Sequence, residues 1–388
     1  MSVNGPRESL ERVHLDHNAT TPMRDEAREA LLEALDAGLG NPSSVHAAGR
    51  RARAVVDDAR MRVAAALGVT EDEVVFTSGG TEANNLALLG AVEAGGPDLG
   101  LVTTAIEHAA VLAPAERLAA AGRRVDLVPV DGEGRVDVER VGELARTRPS
   151  VVSVMAANNE IGSTVDLAAV REAIGPRTVF HSDAVQMLGK QSLDLGAAGV
   201  DLATLSAHKI GGPIGVGVLV RRPSVPLVAR TFGGAQEAEL RPGTENVPAI
   251  AAAAVAIEIA VRETEDYARH TRALVKELWN GLVSRVPDVR LNGPALDDAT
   301  RLPNTLNVAA RSGDARTLVV RLDLEGLEVS AGSACASGSI EPSHVLLALG
   351  LDAARATSSV RISLGRTTSS TDIHRSVERL GRILGEAA

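Results

Sequence analysis

Residues 201–220 read DLATLSAHKIGGPIGVGVLV, and the rest of the chain is organised around this stretch. The apolar runs 202–205 and 216–220 each predict a buried strand. Lys209 lies where the first strand meets a glycine-rich turn, whose backbone can come close to a ligand. A lysine at this position either reaches out to solvent or serves as an amine nucleophile whose pKa is lowered by burial.

The neighbours of Lys209 favour the second interpretation. Ser206 and His208 flank the lysine with hydrogen-bonding groups, as a lysine that holds an aldehyde cofactor as a Schiff base would require. A solvated lysine at a strand end is the alternative. The segment SAHKIGGPIGVGVL, residues 206–219, resembles the cofactor-lysine segment of cysteine desulfurases. These are pyridoxal phosphate enzymes of the aminotransferase superfamily, so the resemblance implies pyridoxal 5'-phosphate as cofactor, bound by Ser206, His208 and Lys209.

Composition narrows the class of protein. The chain has 388 residues, enough for one large and one smaller domain, and a net charge of −10, which argues against binding to a nucleic-acid backbone. Its single cysteine, Cys335, excludes an internal disulfide and favours a reducing compartment. No apolar signal segment opens the sequence, and the apolar run 249–257 is too short to span a bilayer. We therefore expect a cytoplasmic protein that associates with neither membranes nor nucleic acid.

Strand and helix patterns alternate along the chain, which predicts an α/β fold with a mostly parallel sheet covered on both faces. The resemblance implies the type I fold of pyridoxal phosphate-dependent transferases, with a seven-stranded sheet and a smaller α+β domain. We expect residues 15–260 to form the large cofactor-binding domain, and residues 1–14 and 261–388 to form the small one that carries the active-cysteine loop. A single long helix is expected over 247–282.

Polar motifs follow the predicted strands, and ligands of such sheets bind outside the carboxyl ends of the strands. In TSGGTEANN, residues 77–85, Thr81 stands at a helix start, where free N–H groups form an anion site. A simple helix cap by Thr81 is the alternative. The resemblance assigns Gly80 and Thr81 to the cofactor phosphate.

Two further motifs gain a role only through the resemblance. His108 in IEHAAV, residues 106–111, is implied to stack on the pyridine ring and to shuttle protons; a structural histidine is the alternative. Asn159 in ANNEIG, residues 157–162, is implied to contact the ring hydroxyl and the substrate carboxylate; the alternative is a turn.

Asp183 ends a predicted strand in HSDAVQMLGK, residues 181–190, and a buried carboxylate needs a partner. The alternative is a helix cap. The resemblance supplies the protonated ring nitrogen as that partner and makes Gln186 a ligand of the ring oxygen. In RPGTENV, residues 241–247, Thr244 resembles a threonine that reaches the phosphate across a dimer interface, which implies a homodimer; a turn before the next helix is the alternative.

Cys335 lies in SAGSACASGS, residues 330–339, whose small residues are typical of an accessible loop in which a thiol can be deprotonated. A buried structural cysteine is the alternative. The stretch resembles the active-cysteine loop of desulfurases that carry the longer loop. Arg361 in SSVRISLGR, residues 358–366, has apolar neighbours, and a buried arginine needs an anion. The resemblance assigns it as a clamp on the substrate carboxylate.

Together these resemblances imply a cysteine desulfurase that converts L-cysteine into L-alanine and leaves the sulfur as a persulfide on Cys335. Lys209 would take the α-proton, Asp183 would keep the ring nitrogen protonated, and His108 would act as acid and base near the departing thiol. No metal is predicted. A pyridoxal phosphate aminotransferase or lyase of the same fold, or a non-catalytic protein that retains the fold, is the alternative.

The sequence departs from the family at some positions and leaves the sulfur acceptor open. Ile214 stands where many relatives carry a lysine, and LDHNATTP, residues 15–22, differs at its second and third polar positions. The sequence ends at Ala388, soon after one predicted helix, whereas many relatives have a longer tail that docks an iron–sulfur scaffold. A cluster scaffold, a tRNA-thiolation enzyme and a DNA-sulfur-modification system are all acceptors that fit.

Overall fold

The computed structural model describes residues 11–309, 315–331 and 342–386. Its strands are β1 Val13–His14, β2 Val74–Thr77, β3 Gly100–Thr104, β4 Val125–Val128, β5 Ser150–Ser153, β6 Val179–Asp183, β7 Leu202–Ser206, β8 Gly217–Arg221, β9 Arg290–Asn292, β10 Thr305–Ala309, β11 Leu327–Glu328 and β12 Ser359–Ser363. Its helices are α1 Asp25–Asp36, α2 Ala47–Leu67, α3 Gly80–Ala94, α4 Ala109–Ala120, α5 Val138–Thr147, α6 Leu167–Ile174, α7 Val247–Arg262, α8 Thr264–Arg285, α9 Ala315–Leu324, α10 His344–Ala348, α11 Ala353–Thr357 and α12 Ser370–Glu386.

The main sheet confirms the predicted α/β architecture. In the described part of the chain it has seven strands, in the order β2-β8-β7-β6-β5-β3-β4. Strand β8 runs antiparallel to both of its neighbours, while the other paired strands are parallel. The central strands β5 and β7 are buried along their whole length and therefore on both faces, as expected for parallel strands covered by helices.

Strands β7 and β8 are the two strands predicted from residues 201–220. They pair from Leu202 with Arg221 to Ser206 with Gly217, and Lys209 lies in the short helical turn that follows β7. A Cβ atom on Gly217 would lie 2.5 Å from the carbonyl carbon of Gly79. The glycine of β8 therefore allows this strand to pack directly against the glycine turn before α3, which brings the two motifs together.

Small aliphatic side chains fill the space between sheet and helices. Along β3, Val102 faces one cluster with residues of α2 and α7, whereas Leu101 faces the other cluster with residues of α3 and α4. This alternation follows from the two-residue period of a strand. The many alanines of α7 allow the helix to approach its neighbours closely, and several of them, including Ala252 and Ala253, are fully buried.

The single helix expected over 247–282 is wrong: α7 and α8 are separate helices that meet at Glu263. The backbone of Glu263 leaves the helical region, with ψ of 3°. Its carboxylate accepts a hydrogen bond from the buried Arg24 guanidinium at 2.6 Å. Because neither glycine nor proline marks the break, the local sequence gives no signal for it.

A second apolar cluster lies around the antiparallel sheet β12-β10-β9, against which α8, α9 and α12 pack. Val13 and Leu15 from the beginning of the described chain join this cluster, and β1 pairs in parallel with β11. The division into two domains near residue 260 stays a prediction. Across the described ranges, no helix combines the length and the apolar character needed to cross a lipid bilayer.

Candidate active site

A cavity of about 240 Å³ lies beyond the carboxyl ends of the parallel strands. Ten of the predicted site residues line it: Gly80, Thr81, His108, Asn159, Asp183, Gln186, Ser206, His208, Lys209 and Arg361. Thr244 is exposed and lies outside this lining, with its hydroxyl 3.4 Å from the Asn41 amide. Cys335 lies outside the described residues. The cavity therefore brings together most of the side chains that the sequence singled out.

Lys209 supplies the amine of the cavity. Its Nζ donates hydrogen bonds to the backbone carbonyls of Asn18 and Ala19, at 2.8 and 2.7 Å. The sequence contains two other lysines. Lys276 is exposed on α8, and Lys190 is buried outside the cavity lining, so Lys209 is the lysine that a ligand in the cavity would meet.

Asp183, at the end of β6, supplies a carboxylate that is 6% exposed. Its Oδ2 accepts a hydrogen bond from the Asn84 side chain at 2.6 Å, and its Oδ1 accepts one from the Val185 backbone at 3.1 Å. Sequence reasoning missed Asn84, although it belongs to the quoted motif 77–85. These two donors hold the carboxylate in place at the cavity wall.

The start of α3 forms the anion-binding end of the cavity. Gly80 and Thr81 are its first residues, and backbone N–H groups in a first helical turn have no acceptor within the helix. A Cβ atom on Gly80 would lie 3.0 Å from a Val185 methyl group, so a larger residue would crowd this wall. Burial, with the nearby charges of Lys209 and Lys190, lowers the pKa of His208 to about 4, so the neutral ring offers one N–H donor at neutral pH.

His108 caps the start of α4, because its Nδ1 accepts a hydrogen bond from the Ala110 backbone at 3.0 Å. The neutral imidazole therefore carries its proton on Nε2. The preceding residue, Glu107, is fully buried and was missed by sequence reasoning. Burial, joined by the nearby charge of Asp183, raises the pKa of Glu107 to about 8. Its Oε1 accepts hydrogen bonds from the Met155 backbone and the Thr104 hydroxyl.

Arg361 lies on β12, and its guanidinium is almost completely buried. Nη2 donates to Asp16 Oδ1 at 2.6 Å, and Nη1 is 3.4 Å from the carbonyl of Asn159. The sequence predicted an anionic partner for this arginine, and Asp16 is one. Nε has no acceptor in the described part of the chain. Arg361 thus faces the cavity with its orientation fixed and with hydrogen-bonding capacity to spare.

Asn18, which sequence reasoning did not select, connects the elements of the site. Its carbonyl accepts hydrogen bonds from Lys209 and from the Gln186 amide. Its side-chain amide bonds to groups on separate segments: the Asn159 carbonyl, the Thr305 hydroxyl, the Lys190 amine and the Asn304 amide. Asn18 belongs to the polar segment LDHNATTP, residues 15–22. Its role in the site could not be predicted, because it depends on contacts between segments far apart in sequence.

The side chains around the cavity fit pyridoxal phosphate. Lys209 offers an amine for an aldehyde, and Asp183 offers a buried carboxylate for a protonated ring nitrogen. The start of α3, with the hydroxyls of Thr81 and Ser206, offers donors for a phosphate. Arg361 lies beyond these groups as a site for a second anion. The donor set thus matches each charged group of the cofactor, with one cation left for a substrate carboxylate.

Comparison with known proteins agrees with this chemistry. The family model for aminotransferase class-V matches residues 13–375. The chain is 39% identical over 376 residues to the cysteine desulfurase IscS of Dictyoglomus turgidum, covering 96% of this chain and 94% of that protein.

Solved structures similar to this chain belong to the same kind of protein. A NifS-like protein superposes with a TM-score of 0.90 at 36% identity, covering 97% of this chain and 100% of the other. The protein SspA, solved in complex with cysteine, superposes with a TM-score of 0.78 at 29% identity, covering 92% of this chain and 99% of the other.

Proposed function

Because this chain belongs to the aminotransferase class-V family and is a pyridoxal phosphate-dependent cysteine desulfurase, we propose a role for each residue of its site. The observation that carries the proposal is the cavity itself, in which a lysine amine, a buried carboxylate, a helix start and an arginine face one space. Pyridoxal phosphate, when bound, supplies the electron sink for bonds broken at the substrate α-carbon.

The cofactor is held by residues of the main sheet and its loops. Asp183 would hold the proton on the ring nitrogen, and the short hydrogen bond from Asn84 keeps its carboxylate turned toward the cavity. Gln186 and Asn159 would hold the ring oxygen, and His108 would hold the ring, because all three side chains line the cavity. Gly80, Thr81, Ser206 and His208 would supply donors for the phosphate, and a second subunit would contribute Thr244.

L-Cysteine is held by its carboxylate between Arg361 and Asn159. The ion pair with Asp16 fixes the guanidinium, so little side-chain entropy is lost when a carboxylate binds. The Lys209 amine takes the α-proton of the substrate. Its two carbonyl partners, Asn18 and Ala19, hold the amine at the cavity wall.

Sulfur transfer completes the reaction at Cys335. The Cys335 thiolate attacks the substrate sulfur, so that an S–S bond forms while the substrate C–S bond breaks. The electron pair of the broken bond passes to the β-carbon, which takes up a proton to become a methyl group. Lys209 returns a proton to the α-carbon, which completes L-alanine. His108, whose neutral ring carries its proton on Nε2, is the acid–base group near the departing sulfur. The sulfur remains as a persulfide on Cys335.

Lys209→Ala tests the cofactor part of the proposal. We expect this variant to lose both alanine production and the visible absorption band that borohydride removes, because no other lysine lines the described cavity. Lys276→Ala is the matched control, since Lys276 is exposed on α8 and should be silent. A borohydride-sensitive band that persists in Lys209→Ala would show that Lys209 does not hold the cofactor.

A homodimer is part of the proposal. The exposed Thr244 lies beside residue 41, and two large apolar side chains on the neighbouring loops, Val45 and Phe232, are 89% and 86% exposed. Exposed apolar residues indicate an interaction surface when they form a patch. A second copy of the chain would cover them and bring Thr244 to its phosphate site.

The remaining proposals concern the sulfur acceptor and the compartment. A protein thiol that receives the persulfide sulfur fits the chemistry, and a cluster scaffold, a tRNA-thiolation enzyme and a DNA-sulfur-modification system are the candidates to test with labelled sulfur. We place the protein in the cytoplasm, because a single reactive cysteine requires reducing surroundings to stay a thiol.

A further inference from the structure

We propose that Lys190 is a positioning residue of the active site, whose amine fixes the Gln186 side-chain amide with its N–H group toward the cavity. Lys190 is 2% exposed and lies behind the cavity wall, where its Nζ contacts the Gln186 and Asn18 side chains. The inference rests on the proposed function, because Gln186 is the residue assigned there to the cofactor ring oxygen.

The lysine content of the chain makes this position unusual. Only 3 of the 40 basic residues are lysines, so arginine is the chain's default cation. Buried cations are most often arginines as well, because a guanidinium is weakly hydrated and bonds carboxylates in two places. Position 190 carries an amine instead, and its partners are the oxygens of two separate amides rather than one carboxylate.

The contacts leave one orientation for the Gln186 amide. Lys190 and Gln186 are four residues apart on one short helical turn after β6, which places Nζ 2.5 Å from Gln186 Oε1. On its other side, Gln186 Nε2 donates to the Asn18 carbonyl at 3.0 Å. If the Gln186 amide were flipped, its NH₂ group would face the Lys190 amine and its oxygen would face the Asn18 carbonyl, and neither pair can form a hydrogen bond. In the observed orientation, the second N–H of Nε2 is left for the cavity that Gln186 lines.

The same amine also holds Asn18, whose Oδ1 is 3.0 Å from Nζ. Burial, with the charges of Lys209 and Arg361, holds the pKa of Lys190 well below its ordinary value. A neutral amine still has two N–H groups, one for each of the two amide oxygens that Nζ contacts here. The positioning role is therefore retained whether or not Lys190 carries a charge.

A double-mutant cycle on cofactor binding tests the inference. The dissociation constant of pyridoxal phosphate is measured for wild type, Lys190→Met, Gln186→Leu and the double variant, each stripped of cofactor and checked for folding by thermal unfolding. We expect Gln186→Leu to weaken binding roughly tenfold or more, since it removes a hydrogen bond to a charged oxygen. Lys190→Met should cause a loss of similar order, and the double variant should bind no more weakly than Gln186→Leu.

Lys190→Gln provides a second test if the methionine variant does not fold, because a glutamine amide can again donate to Gln186. It should recover part of the affinity and the wild-type position of the cofactor absorption band. The inference would be overturned if the two losses of affinity added in the double variant, or if Lys190→Met or Gln186→Leu bound the cofactor as tightly as wild type. It would also be overturned if Lys190→Gln bound the cofactor no better than Lys190→Met. The proposed function fails separately, if wild type itself forms no borohydride-reducible link with pyridoxal phosphate.

Discussion

Replacing Asp183 with asparagine separates the charge of this residue from its shape. The structure around residue 183 at the cavity wall should tolerate the change, because an asparagine oxygen can still accept a hydrogen bond from the Val185 backbone. The new NH₂ group would face Asn84, whose Oδ1 is buried and has no partner in the described part of the chain. A rotation of the Asn84 amide would then satisfy both side chains. We therefore expect the free energy of unfolding to change by less than about 1 kcal/mol.

The effect on catalysis should be large for the same reason. In the proposed mechanism, the 6%-exposed carboxylate pairs with the protonated ring nitrogen. Breaking a buried pair by neutralising one partner costs about 3–5 kcal/mol. At about 1.4 kcal/mol per factor of ten, kcat/KM for alanine formation from L-cysteine should fall roughly 10²- to 10⁴-fold.

The assay measures alanine produced from L-cysteine at saturating cofactor, alongside thermal unfolding of the same samples. Ser182→Ala is the matched control, because Ser182 is the neighbouring residue of β6 and its buried hydroxyl has no partner in the described chain. It should retain both activity and stability. If Asp183→Asn kept kcat/KM within a few-fold of wild type while folding normally, the ring-nitrogen role of Asp183 would be refuted.

Three other outcomes follow from the structure. Glu107 has a pKa of about 8 in the folded protein and 4.5 when unfolded, so it contributes stability below pH 4.5 that is lost as the pH rises toward 8. The Glu107→Gln side chain cannot ionise and does not lose this stability. The melting temperature of Glu107→Gln relative to wild type should therefore be higher at pH 8 than at pH 5. An unchanged difference would contradict the buried, protonated carboxyl. Gly217→Ala should destabilise the protein by about 1–3 kcal/mol in denaturant unfolding, because its Cβ would meet the Gly79 backbone at 2.5 Å; wild-type stability would exclude that contact. Sedimentation should show that the protein is a dimer, and Thr244→Ala should weaken cofactor binding. A fully active monomer would argue against a site shared between two subunits.

Local motifs in the sequence predicted most of the cavity. Asp183 and Ser206 end strands β6 and β7, and His108 follows strand β3. The apolar runs of these strands are easy to recognise, and parallel strands bring their carboxyl ends to one edge of a sheet. The direction of β8 was not among the predictions, although the short glycine turn after Lys209 allows only an antiparallel return. The strand ends depend on sequence neighbours, which is why they could be predicted.

Contacts between distant segments could not be predicted in this way. Asp16 and Arg361 are separated by 345 positions, and Asn18 and Lys190 by 172. Nothing in the neighbourhood of a polar residue reveals which far segment will satisfy it when both are buried. The kink at Glu263 is similar, because its side-chain partner, Arg24, lies 239 positions away in the sequence. The sequence shows where polar groups occur, whereas their pairing depends on tertiary packing.

The most direct test of the account is the fate of the substrate sulfur. Wild-type protein is mixed with sulfur-labelled L-cysteine without reductant, digested, and analysed by mass spectrometry for the peptide that contains Cys335. We predict that this peptide gains one labelled sulfur atom, that alanine forms in equal amount, and that Cys335→Ala binds the cofactor and L-cysteine but yields neither persulfide nor sustained alanine. Continued alanine formation by Cys335→Ala, or alanine from wild type with no labelled sulfur on Cys335, would contradict the central claim.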